Sequence, residues 1–141
     1  MPLSSQVYLE LSDGRLHEQQ AELQETLAEI VYDLQPNRIF TTGVTGYDGH
    51  VDHIVMHEAA VRSAGELLRS GREVEVWALD AEHNGALRIG GDTARKTGAL
   101  AFHASQRQTP DLERWGDTGL YTPLIVGAET YSRIPDVLAS A

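Results

Sequence analysis

The chain has no cysteine, and that absence alone excludes disulfides, thiolate metal sites and a cysteine nucleophile. Positive charge is nearly as scarce. Lys96 is the only lysine, and 11 basic residues stand against 21 acidic ones, a formal net charge of -10. Phosphate backbones and anionic membrane surfaces repel such a chain, so neither nucleic acid nor a membrane is an expected partner. Apolar runs of membrane-spanning length are missing. The start, MPLSSQVYLELSDG, lacks the basic and long apolar regions of a signal peptide. A soluble, cytoplasmic protein is expected.

What is present is enough for one domain. The 141 residues are 41% hydrophobic, sufficient for a real core, and residues 1–141 are read as a single domain. Val7–Leu11 alternates and reads as a short strand closed by the turn Ser12-Asp13-Gly14. From about Glu18 the period turns helical, with Leu23, Leu27, Ile30, Val31 and Leu34 on one stripe until Pro36. Arg38–Thr42 (RIFTT) is a short buried strand, followed by the glycine-rich loop GVTGYDG. A second helix is expected from an N-cap at Asp52 to a C-cap at Gly71, and then a strand at Glu73–Leu79. Beyond it a helix is expected over Thr93–His103, a short one near Leu112–Trp115, and a strand at Leu124–Val126.

This order predicts an α/β fold, a Rossmann-like, mostly parallel sheet with flanking helices. In such sheets ligands gather beyond the carboxyl ends of the strands. The polar stretch GYDGHVDHIVMH leaves the carboxyl end of RIFTT, with three histidines and two aspartates in twelve positions.

His50 and His53 are spaced so that their imidazoles can converge on one point, with Asp52 between them. The spacing equally allows a plain Asp52 cap and two solvated histidines. His57-Glu58 begins like the zincin helix H-E-x-x-H, but Val61 stands where the second histidine would be, so that motif is rejected. His57 lies one turn beyond His53, either as support for the site or, the preferred reading, as an ordinary helix-face residue. Gly43, Gly46 and Gly49 fit neither phosphate-binding fingerprint and are read as allowing tight turns and close substrate approach. No G-x-S-x-G elbow occurs. Asp13 and Asp48 sit in turn contexts, and Tyr47 and Asp48 are candidate substrate contacts.

Taken in order, LSDGRL, an amphipathic helix, RIFTT, G-H-V-D-H, an alanine-rich helix and ARKTGALAFHASQ resemble one family. They are similar to the later part of the LmbE-like (PIG-L) zinc-dependent de-N-acetylases, over roughly Leu9 to Gln106. Those enzymes carry H-x-D-H after a strand and a lysine-bearing helix leading to H-x-S-Q, here Lys96 and His103-Ala104-Ser105-Gln106. The resemblance implies that His53 is a zinc ligand. It implies that His50 faces the substrate carbonyl, stabilising an oxyanion or giving a proton to the leaving amine, and that Asp52 fixes an imidazole. It implies Zn2+ as cofactor and hydrolysis of an N-acetyl amide on a glucosamine-type sugar.

The family's first motif, A-H-P-D-D-E, does not occur in these residues, and Val51 replaces the common proline between His50 and Asp52. The missing motif supplies two further zinc ligands and the general base. The chain is therefore expected to lack the first βα units and to expose an apolar sheet edge. Three roles follow. The chain is half of a deacetylase completed by a second chain, or a catalytically silent α/β domain that binds a ligand or partner. In the third, it is a self-sufficient hydrolase using His50, His53, Asp48 and His57. Self-association through the exposed edge is a further expectation.

Overall fold

The structure, a computed structural model, describes residues 6–79, 85–92, 94–95 and 129–140. Two compact units make up the chain: Met1–Ala78 with Arg133–Ala141, and Leu79–Ser132.

In the first unit a short 3-10 turn, Leu16–Glu18, leads into helix α1, Gln20–Leu34. Strand β1, Arg38–Thr41, follows, then a single helical turn α2, Gly46–Gly49, and the long helix α3, Val51–Arg69. Strand β2, Glu75–Leu79, comes next, and the chain returns to this unit with the short helix α4, Val137–Ser140. β1 and β2 run parallel, with Arg38 opposite Glu75, Ile39 opposite Val76, Phe40 opposite Trp77 and Thr41 opposite Ala78. Joining two parallel strands needs a crossover, and α3 supplies it.

Two apolar clusters hold this unit. Val61, Ala64 and Leu67 of α3 meet Val74, Val76 and Val137, with Ile39 and Val31 packed against them. Leu23 of α1 meets Val55 and Ala59 of α3, flanked by Leu9, Leu11, Leu16, Leu27 and Met56. Leu23, Leu27 and Val31 of the expected α1 stripe thus pack into these clusters, while Leu34, in the last turn, is left 71% exposed. Gln35 in the left-handed region and Pro36 end the helix there.

The end of α3 is a Schellman motif: Arg72 N–H donates to Leu67 O at 3.0 Å, and Gly71 N–H to Leu68 O at 3.0 Å. Gly71 takes φ 82, so the expected glycine stop is where the chain turns. The expected N-cap moves. His50, not Asp52, caps α3, its ring accepting from the Asp52 N–H, because the Asp52 carboxylate is committed elsewhere.

Val7–Leu11 is not a strand. Its alternation is real, since Leu9 and Leu11 pack inward while Val7 and Tyr8 are exposed, but the inward side meets helices. Glu10, at φ 58, also interrupts any extended run.

In the second unit β3, Leu87–Ile89, pairs antiparallel with residues 129–131 of β4 (Glu129–Arg133), placing Leu87 opposite Tyr131. The α/β class therefore holds, and the β1–β2 pair is parallel as expected, but the expectation of a mostly parallel sheet is corrected by the antiparallel pair. Neither segment reads as a strand from sequence: β3 has three residues, and the buried position of β4 is the polar Thr130. Ala94 and Arg95 are helical, in keeping with the start of the expected helix. The rest of that helix, Leu112–Trp115 and Leu124–Val126 lie outside the described residues. No helix among the described residues is long and apolar enough to cross a membrane.

Candidate functional site

β1 delivers the chain to Thr42, and the loop from Gly43 to Gly49 carries it to the start of α3. This places His50, Asp52 and His53 at the carboxyl end of β1. The His50 and His53 rings lie with centroids 5.1 Å apart and planes tilted by 41°.

Hydrogen bonds give these two rings opposite tautomers. His50 Nδ1 accepts from the Asp52 N–H at 3.2 Å, so a neutral His50 carries its proton on Nε2. His53 Nδ1 lies 3.0 Å from Gly46 O, and since a carbonyl only accepts, Nδ1 donates; in a neutral His53 the lone pair is then on Nε2. The two Nδ1 atoms thus play opposite parts, one accepting and the other donating. A backbone carbonyl is one of the partners, beside carboxylates and water, that orient a histidine ring through its N–H.

Asp52 is buried at 6% exposure, and its two oxygens reach back to the LSDGRL loop. Oδ2 accepts from Gly14 N–H at 2.5 Å and Oδ1 from Leu16 N–H at 3.0 Å. Its link to His50 runs through its backbone N–H. A carboxylate in the first turn of α3 is also favoured by the positive end of the helix dipole.

Gly46 holds the acceptor for His53. It takes φ 69, and a Cβ there would lie 3.0 Å from Ile54 Cγ1 and 3.2 Å from His53 Cβ. The close approach that its glycine permits is to α3 itself. His57, read from the sequence as a helix-face residue, is buried, and its Nδ1 donates to Thr42 O at 2.7 Å. Thr42 Oγ1 donates to His53 O at 2.6 Å. Sequence reasoning missed Thr42 because its contacts run through backbone carbonyls; its place just beyond the strand end was the available signal. Tyr47 and Asp48 lie in the backbone of α2.

The PIG-L family model, described as GlcNAc-PI de-N-acetylase, matches residues 1–64. Over these residues, fewer than half of the chain, it is similar to the PIG-L family. The matched PIG-L span contains LSDGRL, α1, β1 and the full G-H-V-D-H stretch, so it takes in every residue of the histidine pair and its supports. It ends before Lys96 and His103–Gln106, which also lie outside the described residues. No curated protein and no solved structure gives a significant match to the chain.

The PIG-L match brings a metal into question. Among the described residues no group of three or more histidines, cysteines, aspartates or glutamates could hold one. A catalytic zinc needs three protein ligands and an open position. The described residues by themselves do not fit a complete zinc centre.

Proposed function

We propose that His50, Asp52 and His53 are one part of an active site that hydrolyses the N-acetyl amide of a glucosamine-type sugar. The carrying observation is the opposed Nδ1 bonding of the two rings, one accepting and one donating, within the PIG-L span. Amide hydrolysis develops negative charge on the carbonyl oxygen, and a neutral imidazole offering Nε2–H is a fitting donor for it. His50 has that form because its Nδ1 is occupied by the Asp52 N–H. Oxyanion stabilisation is thus the better supported of its two expected roles, since giving up a proton to the amine requires the imidazolium.

His53 is proposed as one zinc ligand. The remaining ligands and the general base would come from residues outside those described or from a second chain carrying an H-P-D-D segment, and no step is derived through the metal. Asp52 serves by locking the 14–16 backbone onto the start of α3, which keeps His50 in place as cap. Tyr47 and Asp48, in the turn leading to His50, are proposed substrate contacts.

Calorimetric zinc titration of the full chain tests this, with and without a polypeptide bearing the H-P-D-D segment, alongside acetate release from N-acetylglucosamine derivatives. Stoichiometric binding lost in His53→Ala is expected. His50→Ala should keep binding and lower acetate release about 10²–10³-fold, as for loss of one oxyanion donor. No zinc binding and no acetate release under either condition would leave the silent ligand-binding domain as the reading.

A further inference from the structure

We infer that His57 is a positioning residue which, with Thr42, sets the tautomer of His53. Thr42 is joined to α3 by two bonds that grip a single helical turn. Its hydroxyl donates to the His53 carbonyl at 2.6 Å, and its own carbonyl accepts from His57 Nδ1 at 2.7 Å. Residues four apart stack on one helix face, so the clamp closes directly over the backbone that carries the His53 side chain.

From Thr42 the loop to the His53 acceptor is short and closed. Gly46 N–H donates to Gly43 O at 2.8 Å, and Gly46 O then receives the His53 Nδ1–H at 3.0 Å. The position of that carbonyl relative to the His53 ring is therefore dictated by where Thr42 is held. An imidazole in water divides its proton between both nitrogens, and only a fixed partner selects one. Released from the clamp, the loop drifts, and the His53 proton spreads onto Nε2, the nitrogen the proposed ligand role needs bare.

The burial of His57 points the same way. An apolar side chain would fill a site at 9% exposure without the cost of a buried ring nitrogen, so what imidazole adds there is its bond to Thr42. The inference deepens the proposed function, on which its chemical consequence rests. The tautomer is measured directly, so the two fail separately: the zinc titration reads the function, and the ring proton reads the clamp.

Long-range 1H–15N correlation spectra of the histidine rings in the full chain make the test. Wild type is expected to show His53 protonated at Nδ1. His57→Leu keeps the bulk and removes the donor, and should lower the ratio of the Nδ1–H to the Nε2–H tautomer about tenfold, the change loss of one ordinary hydrogen bond gives. His57→Asn, whose amide nitrogen sits near where Nδ1 was, should restore it. Thr42→Val should shift the ratio the same way and Thr42→Ser should not. If His57→Leu and Thr42→Val stay folded by circular dichroism and keep His53 as Nδ1–H, the inference is overturned and His57 is a core residue. If His57→Leu does not fold, the threonine pair decides by the same criterion.

Discussion

Asp52 shows how one side chain can carry two assignments. Its place between two histidines suggests an acid that steadies a ring, and the structure gives its oxygens to the Gly14 and Leu16 N–H groups. Removing a buried acceptor leaves each donor unpaired, at about 1–3 kcal/mol per group. Asp52→Ala should therefore lower stability by roughly 2–4 kcal/mol in urea unfolding, and Asp52→Asn, which keeps one acceptor, by clearly less. Equal losses in the two variants would mean that the loop bonds contribute little. Gly46 makes a second case. Gly46→Ala meets both an unfavourable φ of 69 and a 3.0 Å contact with Ile54, so a loss of roughly 1–3 kcal/mol is expected in thermal unfolding, together with shifted His53 ring signals. An unchanged His53 spectrum would show that the ring does not depend on this turn.

At the level of elements, both long helices were legible because their apolar spacing is unbroken and their ends carry Pro36 and Gly71. At Gly71 nothing stands within 4 Å of an added Cβ, so Gly71→Ala isolates the conformational term. The left-handed φ of 82 should cost about 1–2 kcal/mol, measured as a drop in urea midpoint at constant slope. A neutral result would indicate that α3 ends without its Schellman turn. The short strands were less legible. Val7–Leu11 has strand alternation but is used against helices, while β4 is a strand with a polar buried residue. Period two reports which side is inside and is silent on what lies there.

At the scale of the molecule, whose net charge is -10, two described groups with specific partners tie stability to pH. The Glu75 carboxyl is held below its ordinary value of 4.5, first by the Trp77 Nε1–H and then by Arg38 and Arg133. Its bonds span 3.2 Å to Trp77, 3.1 Å to Arg38 and 3.5 Å to Arg133, joining β1, β2 and the returning chain. With the native value depressed, its contribution is full above 4.5 and fades as pH falls through the lower native value. Burial, and then Glu129, push Tyr131 up to about 12 from 10. The unfolded chain then ionises first, so stability should fall between pH 10 and 12. Glu75→Gln should flatten the acid limb and Tyr131→Phe part of the alkaline limb of a stability–pH profile. Wild-type slopes in both variants would refute these assignments.

Local order along the chain was enough to determine the α/β class, the two long helices, the βαβ step through α3, and the concentration of His50, Asp52 and His53 beyond β1. These follow from apolar period, caps and strand ends, which act between near neighbours. Tertiary structure alone decided which ring nitrogen of each histidine holds its proton, that Asp52 secures a loop 36 to 38 residues earlier, and that His57 reaches Thr42. Those choices depend on carbonyls and N–H groups that every residue possesses, so no residue type signals them until the fold sets them within 3 Å or so of one another.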